Sequence, residues 1–153
     1  MERCQNASDT RLCGECVACC VYLHISTLEK PPLAHCPHLR LDTPRDEEAL
    51  YYSVSGEDHC TIYHDRPECC RVYRCAWLDG HGAEQDRPDK CGVLIDTLHR
   101  IDGAVEVKPL GEGLGDTEEA TGAVLRICRD TGKVGLVTSF GERRWVRAVG
   151  RPL

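Results

Sequence analysis

Four cysteines fall within eight residues in the run Cys13-Gly14-Glu15-Cys16-Val17-Ala18-Cys19-Cys20. A Cys-x-x-Cys turn brings two sulfurs within reach of one metal ion, which is why the spacing recurs at zinc and iron–sulfur sites. Overlapping copies offer several thiolates from one short segment, and Gly14 relieves the tight turn. A buried free cysteine is a common small hydrophobe. That accounts for one or two cysteines, but not for four in eight positions. A second set follows: Cys36 between His35 and Pro37-His38, Cys60 beside His59, then Cys69, Cys70 and Cys75. His35, His38, His59 and His64 stand near these cysteines, although a solvated or hydrogen-bonded histidine is the commoner case.

What twelve cysteines mean depends on the compartment. The first ten residues contain no apolar stretch, so no secretory signal is read there. The longest aliphatic runs, such as Val93-Leu94-Ile95, are far too short to span a bilayer. The expectation is a cytoplasmic protein with reduced thiols, no membrane partner, and metal or redox chemistry rather than a disulfide framework. The net charge of −6 argues against nucleic acid, whose binders carry a basic stripe. Arg143, Arg144, Arg147 and Arg151 form the one local basic cluster and read as a solvated strand face.

The elements that must position these thiols divide near residue 91. Eleven of twelve cysteines and six of seven histidines lie at or before Cys91. Residues 13–91 read as a loop-rich cysteine-cluster region and residues 92–153 as an α+β region of one domain, 1–153. Gly92 to Leu98 and Ala104 to Lys108 predict two strands around the turn Arg100-Ile101-Asp102-Gly103. Asp116 or Thr117 is a helix cap, with Glu119 placed to complete a capping box with Asp116. Ala120, Val124, Ile127 and Cys128 repeat at helical spacing up to a stop at Gly132. Val134 to Thr138 and Arg144 to Val149 predict a second hairpin around Phe140-Gly141. Nearer the cysteines, Asp65-Arg66-Pro67-Glu68 reads as a helix start capped by Asp65, with Pro67 in the first turn. Residues 42–49 read as a surface excursion or a short helix. With only 5% aromatics the core looks thin, so the expected fold is a small, metal-stabilised α+β domain with a C-terminal strand–helix–strand region.

The blocks Cys13-x-x-Cys16-x-x-Cys19-Cys20, Cys36-Pro37-His38-Leu39, Cys60-Thr61-Ile62-Tyr63-His64-Asp65-Arg66-Pro67 and Cys70-Arg71-Val72-Tyr73-Arg74-Cys75 together resemble the CxxCxxCC cysteine-cluster proteins, the YkgJ-like family. The resemblance covers residues 13–75. It implies a zinc- or iron-chelating domain similar to part of the flagellin N-methylases. It also implies Cys13, Cys16, Cys19, Cys20, Cys36, Cys60, Cys70 and Cys75 as metal ligands. Cys69 doubles the pattern's cysteine and is incidental to it, Cys4 and Cys128 read as structural, and Cys91 is left open.

That ligand set fills two tetrahedral zinc sites, or one cluster with shared ligands. Cys13, Cys16 and Cys19 also match the first three ligands of a bacterial iron–sulfur run, whose fourth cysteine precedes a proline as Cys36 does. Zinc is the first reading, and iron or an iron–sulfur cluster the second. Arg66, close in sequence to several thiolates, is a candidate to offset their charge. If a helix starts at Asp65, Cys70 and Cys75 stand on different faces of it unless it ends between them. The primary function read here is metal binding in a structural or carrier role, with metal ions as the partner and no protein partner identified. A part in protein lysine methylation is the alternative, and its only hook, Gly111-x-Gly113-x-Gly115, reads better as a plain connection. A thiol switch at Cys13-Gly14-Glu15-Cys16 ranks third, because the polar residues before it make a poor strand.

Overall fold

The computed structural model describes residue 11 and residues 16–39, 60–97, 101–142 and 144–150. The chain is α+β and forms two compact units, Gly14–Tyr73 and the remainder, Met1–Cys13 with Arg74–Leu153. The compositional change near Cys91 falls inside the second of these. Cys4, Cys13, His59, His99 and the segment 42–49 lie outside the described residues.

The described residues of Gly14–Tyr73 contain little regular structure. Its helices, α1 (Ala18–Tyr22) and α2 (Glu68–Val72), have five residues each, and 3-10 turns occupy Ser26–Leu28 and Tyr63–Asp65. Helices this short do not persist on propensity alone. Long-range backbone bonds hold them: Cys36 N–H donates to the Cys20 carbonyl (3.2 Å), and Leu33 N–H to that of Tyr22 (3.3 Å). Single β-bridges pair Ile25 with Lys30 and Leu39 with Cys60. The buried apolar cluster is small: Val17 and Val21, with Cys20 and Leu39 packed against them.

The predicted Asp65 cap is corrected. Helix α2 begins at Glu68, with Pro67 as its N-cap residue and no side-chain cap. Asp65 instead closes the preceding 3-10 turn through its N–H to the Ile62 carbonyl (2.9 Å). Pro67 holds an extended ψ of 150°, and its carbonyl accepts from Cys70 and Arg71, so the proline initiates the helix from outside. The helix stops at Val72 with Tyr73 extended, short of Cys75.

The other unit is built on a four-stranded mixed sheet in the order β1 (Val93–Thr97), β2 (Ala104–Pro109), β3 (Val134–Thr138), β4 (Trp145–Val149). The outer pairs are antiparallel, as two hairpins require, and β2 runs parallel to β3. Parallel neighbours need a crossover. A helix, Glu118–Thr131, supplies it; with the short helix Pro88–Cys91 counted as α3, it is α4. Thr117, not Asp116, caps α4, accepting from Ala120 N–H, and Gly132 ends it in a left-handed conformation. Its buried face, Ala120, Ala123, Val124, Ile127 and Cys128, packs with Val93, Ile95, Val105, Val107 and Val137. A Cβ on Gly135 would stand 2.8 Å from Val124, so helix and sheet meet there at a distance that only glycine allows.

Ahead of the sheet, α3 follows a loop locked by a buried ion pair. Asp86 is 1% exposed and takes two hydrogen bonds from Arg126 of α4, at 2.6 and 2.8 Å, and one from Ala83 N–H. Arg11 reaches the same loop, donating to the carbonyls of Trp77, His81 and Gly82 and stacking on the Trp77 ring. The glycine-rich stretch before α4 is a packed connection. A Cβ on Gly115 would meet Pro109 at 2.9 Å, the Gly115 carbonyl accepts from Arg147, and Arg147 also pairs with Asp116. Among the described residues no helix is long and apolar enough to cross a membrane.

Candidate metal centre

The described cysteines are thiols. Of the eight ligands implied by the family resemblance, Cys16, Cys19, Cys20, Cys36, Cys60 and Cys70 belong to Gly14–Tyr73. Cys75 belongs to the other unit, where it is buried, and Cys13 lies outside the described residues. Cys16 is buried just ahead of α1, which carries the half-buried Cys19 and Cys20 on successive positions. Cys36 is buried and tied to Cys20 through the backbone. The half-buried Cys60 bridges Leu39, and Thr61 donates to the His38 carbonyl through both its N–H and its hydroxyl. This is how the Cys36-Pro37-His38-Leu39 and Cys60-Thr61 blocks come to lie side by side.

Helix α2 presents Cys69 to solvent and Cys70 inward. Burial, together with the neighbouring Cys69 and then Cys19 and Cys36, pushes the Cys70 thiol up to about 11. The backbone bond from Cys36 N–H to the Cys20 carbonyl is the geometric link between α1 and the turn at Cys36. Cys69, incidental to the sequence pattern, lies with its sulfur 3.9 Å from the Thr27 hydroxyl. Among the described residues no three His, Cys, Asp or Glu side chains gather tightly enough to hold an ion as they stand. As a donor set the cysteines suit a soft or borderline metal, because thiolate is the ligand class of zinc and iron–sulfur sites.

One residue of this unit has no signal in the sequence. Lys30 is 1% exposed, and its ammonium donates to the carbonyls of Val21 (2.8 Å), Leu23 and Pro31 (2.9 Å). Two of these carbonyls lie at the C-terminal end of α1, where a helix leaves acceptors without intrahelical donors. Burial lowers the Lys30 pKa, and the thiols of Cys36, Cys20, Cys19 and Cys70, in that order, draw it back up. A lysine before Pro31-Pro32 reads as solvated by default. Arg66, which proximity in the chain nominates for charge compensation, turns elsewhere. Its Nε donates to the Tyr63 carbonyl at 2.7 Å and its guanidinium stacks 3.7 Å over the Tyr63 ring.

The remaining described cysteines are core residues of the other unit. Cys91 donates to the carbonyls of Asp86 and Val93, and burial pushes its thiol up to about 11. Cys128 lies on the buried face of α4, beside the Val149 carbonyl at 3.7 Å. No protein-family model matches the chain, and no curated protein or solved structure matches it at a significant level.

Proposed function

We propose that Gly14–Tyr73 is a thiolate metal-binding module that holds zinc in a structural or carrier role. Cys16, Cys19, Cys20, Cys36, Cys60 and Cys70 are its ligand candidates within the described residues, and Cys13 is the further one that the spacing supplies. Cys75, in the other unit, is left outside the proposal. The observation that carries it is the backbone bond from Cys36 N–H to the Cys20 carbonyl (3.2 Å), which ties the Cys36 turn to the helix that bears Cys19 and Cys20. Small apolar cores commonly need a metal staple, and this unit's buried cluster is Val17 and Val21. A bound zinc would supply cross-linking between α1, the Cys36 turn and α2. The chain's contribution is to supply soft donors, which a reducing compartment such as the cytoplasm would keep as thiols.

An iron–sulfur cluster is the second reading, favoured by the proline that follows Cys36. Elemental and sulfide analysis of protein purified without oxygen separates the two. Zinc without sulfide supports the first, and iron with matching sulfide and visible absorption supports the second. Metal-free protein that gains neither zinc nor iron on reconstitution sinks both.

A further inference from the structure

We propose that the outer edge of β4 is a docking strand for an extended acidic peptide, which pairs with it as a further strand of the sheet. The sheet ends in β1 on one side and in β4 on the other. The two ends are built differently. Val93, Leu94 and Ile95 of β1 are at most 3% exposed, whereas Trp145, Val146, Arg147 and Ala148 of β4 are all exposed. Trp145 is 40% exposed and Val146 51%. Among the described residues β4 pairs with β3 alone. Its far side presents backbone N–H and C=O groups without a strand partner there, and such an edge is a template for another extended chain. Charge selects the occupant. Four arginines and no acidic residue fall between Arg143 and Arg151, in a chain whose net charge is −6. Arg147 is engaged with the Gly115 carbonyl and with Asp116. Arg144 is exposed and has no side-chain partner among the described residues. A second copy laid edge to edge on β4 would set arginines against arginines, which is unfavourable. An acidic peptide satisfies both the backbone and the charge.

The simpler account makes the arginines a guard, since charge on an edge strand discourages pairing between copies. The guard explains the arginines. It does not explain the indole of Trp145 and the isopropyl group of Val146 left exposed among them, where a guarded edge would carry polar side chains. The irregularity in the β3–β4 ladder lies at the Trp145 end, and Arg147, Ala148 and Val149 pair in register with Val137, Leu136 and Gly135, so a regular length of edge remains. Nucleic acid and anionic membrane also attract arginine and tryptophan. Neither offers the row of backbone donors and acceptors that pairs with a strand edge, and a peptide does.

The test uses the full chain and a fluorophore-labelled synthetic peptide of alternating glutamate and valine, about eight residues long to match a strand. Binding should raise the anisotropy of the label and slow hydrogen exchange at the amides of β4 at least about tenfold at saturation, with β1 unchanged. A lysine–valine peptide of the same length should not bind. Nor should the glutamate–valine peptide methylated at its backbone nitrogens, which keeps the charge and loses the donors. Arg144→Glu changes an exposed side chain without a partner, so it should fold as the parent does and weaken binding roughly fivefold. No binding of the glutamate–valine peptide at about 1 mM, or equal binding of its methylated form, overturns the docking strand. Two further results overturn it. Protection of β4 amides that rises with protein concentration in the absence of peptide gives the edge to a second copy. Protection by phosphatidylserine vesicles or single-stranded RNA, and not by the peptide, gives it to a membrane or to nucleic acid.

Discussion

In the unit built on the sheet, α4 sets Ala120, Ala123, Val124 and Ile127 against Val105, Val107 and Val137, and the Asp86–Arg126 pair ties the preceding loop to the same helix. In Gly14–Tyr73 the buried apolar cluster is Val17 and Val21, with Cys20 and Leu39 beside them. The two helices among its described residues have five residues each, and the buried Lys30 ammonium is held by the carbonyls of Val21, Leu23 and Pro31. One unit can draw its stability from apolar area and a paired carboxylate. Among the described residues the other buries fewer apolar side chains, and half-buried or buried thiols recur there at Cys16, Cys19, Cys20, Cys36, Cys60 and Cys70. The difference teaches that one chain can hold two regions to two physical standards, a packed core in one and ligand chemistry in the other.

The comparison breaks most easily on metal removal. Structural zinc contributes on the order of 10–16 kcal/mol in small domains at neutral pH, so a strong chelator should cut hydrogen-exchange protection at Val21, Cys36, Leu39 and Cys70 by at least about 100-fold. Amides of β1 to β4 should keep theirs. Equal loss in both units, or none in either, would show that the metal is not what distinguishes them.

The next effect belongs to the sheet unit. Arg126→Ala leaves the Asp86 carboxylate buried without its partner, and should cost about 3–5 kcal/mol with no change in bound metal. Burial alone would raise the Asp86 pKa, but the Arg126 hydrogen bonds and Ala83 N–H outweigh it and hold the carboxyl below its ordinary value. Its contribution to stability is therefore present above the unfolded carboxyl pKa, about 3.9, and is lost as pH falls through the lower folded value. Urea melts followed by tryptophan fluorescence should show this acid loss in the parent and a flatter profile in Arg126→Ala. A parent profile that is flat in acid would remove the pair from the account.

Single cysteines sharpen the contrast further. Cys36→Ser and Cys70→Ser should lower bound zinc, because a hydroxyl is a hard and poorly ionised substitute for thiolate. Cys128→Ser should leave zinc content unchanged and cost the sheet unit about 1–3 kcal/mol through a buried hydroxyl. Zinc affinity should also fall with acidification, since the ion must displace protons such as that of Cys70, held up to about 11. Equal zinc loss from all three variants would mean that the cysteines are wrongly divided.

The smallest effect is expected at Arg66. Its guanidinium packs on Tyr63, so Arg66→Ala should cost roughly 0.5–1 kcal/mol of local stability. Zinc titrations of this variant across pH should overlay the parent's. A selective weakening at low pH would return Arg66 to the charge balance of the thiolates.

The parts legible in the sequence are those governed by neighbours in the chain. The strands around Gly103 and Gly141, the apolar period of α4 and its stop at Gly132 follow from turn chemistry and from residues three and four apart. The cap of α4 is legible as a choice of two, and the pairing of Asp116 with Arg147 leaves it to Thr117. The parallel pairing of β2 with β3 is not legible, because it depends on where α4 returns the chain. The Asp65 cap fails because a proline two residues on resets the helix start. In the candidate site, the thiol clusters announce themselves by spacing. The bond that ties Cys36 to Cys20, and the burial of Lys30 against the end of α1, depend on folds of the chain that no local pattern encodes.

Arg11 grips Trp77, His81 and Gly82 across 66 to 71 positions, and the whole of Gly14–Tyr73 lies in the interval. The cysteine unit is thus an insertion, and the Arg11 grip is the knot of a loop. Closing a loop costs entropy that rises with the logarithm of its flexible length, about 0.6 kcal/mol for each doubling. Ordering the insertion shortens the slack that Arg11 must gather in. A chain whose insertion is slack ties that knot more weakly, so the grip of one arginine becomes a gauge of order many residues away.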